Sequence, residues 1–354
     1  MKIGLIVPAN IKYSPYVHYY IELLNKNNVE YKIMMWDKAG VDEVDDMIFH
    51  FETSDFNRKK ILLGHALFSI KCKEYIKKER IDHLIIFTIA PLFFLGYRYL
   101  RKFQGKLMLD IRDDSPFRRH FPDKLKKFGE LAHTLVVSSP YYSEWFNKSS
   151  ILCHNADFSI IKRYSGKYGK DQISSPIRIV YAGMMIEEDI NIAIIEQLKN
   201  DKDFKLTFIG RDNEKKEKIK EYVSKNAIQN VGFKGEYRKE DIVDIYRQEA
   251  DLVNILRQNT IINRNALPNK LYDAVVSGIP LVVFRHNTAI ADYVGRYNLG
   301  IIVDGVEDIK RQLINGLQKF DPENYKSGRT EFLNLIQNDY YLFAESLKKF
   351  CQEK

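Results

Sequence analysis

Apolar residues in this chain fall into short runs separated by polar segments with helical spacing. Ile3–Val7, Tyr31–Met35, Leu84–Phe87, Lys106–Leu109 and Thr134–Ser138 have the length and composition of buried strands. Tyr16–Asn25, between the first two, reads as a helix. This alternation predicts a parallel sheet with helices on its faces. From Ile160 to Pro176 the rhythm lapses into Lys, Tyr, Gly and Ser, a linker placed at 161–176. It then restarts, with strands at Ile177–Tyr181, Lys205–Ile209, Val231–Phe233, Asp251–Leu256 and Ile301–Val303. Helices are expected at Ile190–Leu198, Lys215–Lys225, Lys239–Arg247 and Ile309–Leu317, and Arg329–Phe350 reads as helical throughout. The expected fold class is α/β: Rossmann-like domains over 1–160 and 177–335, with a ligand cleft between them. A C-terminal helix over 336–354 is expected to pack back toward the first domain.

Composition narrows the class without naming a function. At 354 residues the chain is too long for one core, and 45% hydrophobic with 29% charged residues is a globular balance. Met1–Val7 is too short for a signal peptide and reads as a first strand. No apolar run reaches the roughly 18 residues of a spanning helix; Leu84–Tyr97 comes nearest, interrupted by Pro91 and Gly96. Cys72, Cys153 and Cys351 match neither a disulfide framework nor metal-ligand spacing, so a cytoplasmic location is expected. The net charge of +8 would serve nucleic acid, anionic lipid or phosphorylated substrates alike.

The stretch Leu267–Val283 carries the most chemistry. Pro268 stops the preceding segment, and Asn269 is expected to cap a helix whose apolar face is Leu271, Ala274 and Val275. Gly278 ends it and Leu281–Phe284 reads as a buried strand. Lys270 lies in the first turn, with Asp273 three residues on and on the same side. A helix N-terminus with a lysine beside it attracts anions, and a carboxylate one turn deeper accepts hydroxyl hydrogen bonds. Phosphate plus vicinal hydroxyls describes a nucleotide sugar. The plainer alternative is a surface Asp273–Lys270 pair.

Asn155-Ala-Asp157, Tyr181-Ala-Gly183, Phe208-Ile-Gly210, Asn230–Gly235 and Pro268–Val283 occur in an order that resembles a known family. Over residues 130–305 the chain resembles nucleotide-sugar glycosyltransferases of the GT-B fold, family 4 (group 1). The resemblance implies a nucleoside-diphosphate-sugar (NDP-sugar) donor in the second domain and an acceptor in the first. It also implies retaining transfer with no metal and no cofactor. In the family two glutamates contact the donor; Asp273 stands at the second position, on the ribose hydroxyls, and Asn265 at the first. An amide there bonds a sugar hydroxyl but brings no charge. The loop Gly183–Ile190 has three acids and lacks the family's basic residues, so neutralising the diphosphate falls to Lys270 and the helix amides. Arg257 and Arg264 are candidate helpers, with solvated surface arginines as the alternative. Gly183 would let backbone approach the phosphate. Phe233 belongs to the segment whose backbone meets the base, and Tyr237 is a candidate to stack on it; a core or surface tyrosine is the alternative.

In the first domain, Asp113 is a candidate base or orienting group for an acceptor hydroxyl, and Arg112 for a leaving or acceptor phosphate. A local Asp/Arg salt bridge is the competing possibility. Phe93–Phe128 interleaves basic and aromatic residues, which suits single-stranded nucleic acid or an anionic membrane surface, with a solvated basic face and inward-turned aromatics as the alternative. The expected partners are an NDP-sugar, a glycan or lipid-linked acceptor and the inner face of an anionic membrane, and not nucleic acid. The expected function is sugar transfer in bacterial surface polysaccharide synthesis. The alternatives are a nucleotide-sugar epimerase of the same fold and a non-catalytic partner subunit.

Overall fold

The structure, a computed structural model, describes residues 1–38, 40, 48–52, 61–164 and 175–352. It divides into two compact units, Met1–Asn155 with Asn338–Lys354, and Ala156–Gln337. Most of the expected linker, 165–174, lies outside the described residues; its first residues end a helix, Phe158–Tyr164.

In the first unit the apolar runs become β1 (Lys2–Val7), β2 (Glu30–Asp37), β3 (Ile48–Glu52), β4 (His83–Phe87), β5 (Leu107–Ile111), β6 (Thr134–Val137) and β7 (Ile151–Leu152). They pair in parallel in the order β3-β2-β1-β4-β5-β6-β7. β4 and β5 are buried along their whole length, as a sheet covered on both faces requires. The helix Ile61–Lys78 covers one face through Phe68, Cys72 and Ile76, spaced four apart. The end of the long helix Pro322–Phe350 belongs to this unit, where Phe343 meets Tyr20 and Phe350 meets His83. That helix begins seven residues before the expected Arg329, because Pro322 suits a first helical turn.

The second unit holds β8 (Ile177–Ala182), β9 (Phe204–Ile209), β10 (Val231–Lys234), β11 (Leu252–Ile255), β12 (Leu281–Phe284) and β13 (Gly300–Val303). Their order is β10-β9-β8-β11-β12-β13, again parallel. The chain runs outward from β8 through β9 to β10, then returns to the other side of β8 as β11. That reversal is a topological switch point, where open α/β sheets leave a crevice at the carboxyl ends of their strands.

The helix Asn269–Ser277 faces that crevice, and a side chain absent from the candidates above anchors its far end. Arg329 is fully buried and donates to the carbonyls of Val275 (2.6 Å), Val276 (2.9 Å) and Tyr164 (3.3 Å). It thereby satisfies carbonyls that a helix C-terminus leaves without internal partners. Gly278, at φ 72°, closes the turn in the left-handed region. Arg329→Met strips the charged donor from these carbonyls and is expected to cost about 2–3 kcal/mol in equilibrium urea unfolding. A loss under about 0.5 kcal/mol, the range of an ordinary surface substitution, would show that the anchor is dispensable.

Candidate functional site

Two loops meet at the switch point of the second unit. Gly183–Glu187 follows β8 and Leu256–Thr260 follows β11. Glu187, buried at 4% exposure, fastens them together: it accepts from the Gln258 amide (3.1 Å) and the Asn263 side chain (3.3 Å). Its carboxylate also lies 3.9 Å from Nε of Arg257. The acidic loop that looked hostile to a diphosphate therefore spends this charge on its own architecture. Of its other acids, Glu188 pairs with Lys218, and both Glu188 and Asp189 lie in the first turn of the helix Glu188–Leu198, where negative charge is favourable.

Lys270 reaches into the space above Gly183. A side chain at Gly183, where φ is 119°, would meet Lys270 Cε at 3.4 Å and the Tyr237 hydroxyl at 3.9 Å. The ammonium stands 3.1 Å from the ring centroid of Tyr181, and among the described residues it has no hydrogen-bond or ion-pair partner. Burial, and then the positive charge of Arg257, hold its pKa well below the usual lysine range, against the opposing pull of Glu187 and Asp273. Two cations thus converge on one point. The helix above them has an uncapped N-terminus, because Pro268 occupies the cap position and makes no side-chain bond. This corrects the expectation for Asn269, which is the first helical residue and exposed. The Gly183 amide is committed to the Ile209 carbonyl (2.8 Å), so this position offers space and not a donor.

Asp273 is paired with Lys239, not with Lys270. Both carboxylate oxygens accept from Lys239 Nζ, at 2.6 and 2.5 Å. Burial still raises the Asp273 pKa, Lys239 opposes the rise, and the charge of Asp157 adds to it. Tyr237 lies close enough that Asp273 and Tyr181 add to the upward shift burial gives its phenol. Its hydroxyl points toward Gly183. Beneath them the Tyr246 hydroxyl is buried without a hydrogen-bond partner.

The remaining candidates are placed less centrally. Asn265 ends the short helix Ile261–Asn265 and is half-buried. Arg264 is exposed and donates to Asn259 (2.7 Å), away from Lys270 in its bonding. The Phe233 ring stacks on Phe208 in the core, leaving only its backbone for a ligand.

In the first unit Asp113 is exposed just beyond the carboxyl end of β5. Arg112 corrects the expectation of a phosphate ligand: it is buried at 2% exposure and committed inside the unit. It donates to Asp110 (2.5 Å), the Cys153 carbonyl (2.8 Å) and Asn155 (2.9 Å), with its guanidinium over the Tyr16 ring. Its ion-pair partner is two residues before it, on the strand, and not in the loop. Of the aromatics in Phe93–Phe128, Tyr97, Tyr99, Phe103 and Phe117 pack against the core, while Phe121 stays 52% exposed.

Sequence inspection missed Lys239, Glu187 and Lys216. Lys216 is buried and donates to the carbonyls of Gly210 (2.6 Å) and Lys234 (2.9 Å), joining the loops after β9 and β10. Lys239 and Glu187 carry no local signal, because their partners lie 34 to 76 positions away; Lys216 has one local ion-pair partner, Asp212 (2.8 Å), which looks like an ordinary surface helix pair.

Residues 176–319 match the family model described as "Glycosyl transferases group 1". No curated protein sequence matches the chain. Solved structures of similar fold include the trehalose-6-phosphate synthase OtsA, with TM-score 0.64 at 11% identity over 100% of both chains. The lipopolysaccharide outer core galactosyltransferase WaaB, in its apo form, gives 0.62 at 14% identity over 98% of this chain and 99% of that one. A UDP-GlcNAc 2-epimerase from Neisseria meningitidis bound to UDP-GlcNAc gives 0.61 at 11% identity, over 99% and 100%. At such identities the likeness is one of fold. Residues 176–319 thus match the group 1 glycosyl transferase model, and the chain as a whole shares the two-sheet α/β fold of these GT-B structures.

Proposed function

We propose that the second unit binds an NDP-sugar with its diphosphate at Lys270 and its ribose hydroxyls at Asp273. The observation that carries this reading is the unpaired Lys270 ammonium, held beside Arg257 at the mouth of a parallel sheet. An anion there gains the Lys270 ammonium, the nearby charge of Arg257 and the positive end of a helix at once. Arg257 is assigned a supporting role, and Asn265 a neutral hydrogen bond to the sugar. Tyr237 is assigned to the nucleoside through its hydroxyl, with the Phe233 backbone beside the base.

The reaction proposed is retaining transfer without metal or cofactor. The bond from the anomeric carbon to the diphosphate breaks, a new bond to an acceptor oxygen forms on the same face, and the acceptor proton passes to the departing phosphate. Lys270 stabilises the charge developing on that phosphate. Asp113 is proposed to orient the acceptor hydroxyl. A glycan or lipid-linked acceptor in bacterial surface polysaccharide synthesis, on the cytoplasmic face of the membrane, fits the basic first unit and the fold shared with WaaB. The fold shared with an epimerase favours a second reading, turnover of an NDP-sugar with no acceptor.

A thermal-shift panel of UDP-, GDP-, dTDP- and CMP-sugars is expected to give one nucleotide that raises the melting midpoint by a few degrees, with Asp273→Ala abolishing the shift. Stabilisation by none of them, or an equal response in the variant, would overturn the site. Incubating the hit without an acceptor then separates the readings: epimerised sugar supports the second, and intact donor the first.

Lys270 predicts a pH dependence. Its pKa lies well below the ordinary value in the free protein, and a bound diphosphate raises it. Between those two values binding takes up a proton, so affinity falls as pH rises, by up to tenfold per unit. Calorimetry in buffers of different ionisation enthalpy should report this uptake, and Lys270→Met should remove it.

Lys239→Ala takes away the charge that opposes the raised pKa of Asp273. The acid limb of nucleotide binding is therefore expected to move to higher pH, read as the midpoint of affinity against pH. An unmoved midpoint would mean that the Lys239–Asp273 pair is irrelevant to the ligand.

A further inference from the structure

The helix Ile61–Lys78 turns Gly64, Phe68, Cys72 and Ile76 into the core of the first unit, as its spacing requires. Its opposite face should then be polar, and in the first ten residues it is not. Leu62 and Leu63 are each 56% exposed, Ile70 49% and Leu67 40%. Single exposed aliphatics are unremarkable; four within ten residues of one helix form a patch that needs a cover. The face changes character at Lys71. From there its exposed residues are Lys71, Glu74, Lys77 and Lys78, three cations to one acid.

The patch continues beyond the helix. His65 stacks on Phe94, Phe94 packs on Phe117, and Phe117 stacks on Phe93, which reaches the exposed Phe121. Around Phe121 the exposed residues Arg119, Lys124 and Lys127 repeat the basic rim. No helix among the described residues is long and apolar enough to cross a membrane, so this surface would lie on a bilayer and not in it.

We propose that this face docks the first unit on an anionic bilayer surface, with Leu62, Leu63, Leu67 and Ile70 entering the acyl boundary and the lysines meeting the headgroups. The composition favours lipid over protein: interfaces between proteins are enriched in Tyr, Trp, Met and Arg and depleted in Lys, whereas aliphatic residues beside lysines suit an interfacial helix. The net charge of +8 adds long-range attraction to anionic lipid. The inference deepens the reading of a lipid-linked acceptor, but its test needs no donor and no activity, so either can fail alone.

The test is flotation of the full chain with vesicles of phosphatidylglycerol and phosphatidylethanolamine, against phosphatidylcholine vesicles, at about 0.15 M salt. Binding to the anionic vesicles, weakened by added salt, is expected. Leu63→Glu with Leu67→Glu should lower the bound fraction about tenfold at an unchanged melting midpoint, and Lys77→Glu with Lys78→Glu should weaken anionic binding alone. Both pairs are exposed, so the fold should tolerate them. Absence of wild-type binding, or full binding by the leucine variant, overturns the proposal. So does a wild-type dimer in sedimentation that the leucine variant converts to monomer, which would make the face a contact between copies.

Discussion

The ends of β8 and β9 close on one another only because Gly210 has no side chain. A Cβ at Gly210 would stand 2.2 Å from the Gly183 carbonyl oxygen, while one at Gly183 would touch Lys270 Cε at 3.4 Å. Backbone at this corner is therefore packed as tightly as two bare chains allow, with the Gly183 amide held by Ile209. The space that results is filled by a lysine that has no counter-ion among the described residues. Lys216 ties the next loop in from below, and Glu187 ties in the loop beyond β11. The concavity at the switch point is thus held by interactions that do not engage the Lys270 ammonium.

Charge in the second unit is distributed to the same end. Glu187 could have neutralised Lys270; it is instead consumed by Arg257, Gln258 and Asn263. Asp273 could have done so one turn deeper, and Lys239 holds it. What is left is a cation over an aromatic face, an arrangement that stabilises positive charge weakly and is easily exchanged for a phosphate. An enzyme that binds a diphosphate and later releases it gains from a resting partner of that kind.

Much of this was legible in the chain. Leu281–Phe284 is a strand over the predicted residues, and the other predicted strands of the second unit fall close to their expected ends, because each is a short apolar run; the helix Thr288–Arg296 was not foreseen. The first unit was harder: the strand Ile48–Glu52 and the helix Ile61–Lys78 were not foreseen, since the one is only partly buried and the other is apolar nearly all round in its first half. Lys270 and Asp273 were singled out by their place in a helix–strand unit, and that unit is present as the helix Asn269–Ser277 followed by β12. Arg112 was misjudged, because it was read as part of a ligand-facing loop at the carboxyl end of a strand, while its actual partners are Asp110 and two residues over forty positions on. Ion pairs between distant segments, such as Lys239 with Asp273, leave no periodic trace.

The central claim is that a nucleoside diphosphate binds by replacing these resting contacts. A crystal structure of the chain with the nucleoside diphosphate it binds best tests that claim most directly. Phosphate oxygens on Lys270 Nζ, with that ammonium lifted from Tyr181 and the ribose hydroxyls on Asp273, are predicted. A nucleotide bound elsewhere, with Lys270 still over Tyr181 and the Lys239–Asp273 pair intact, would contradict it.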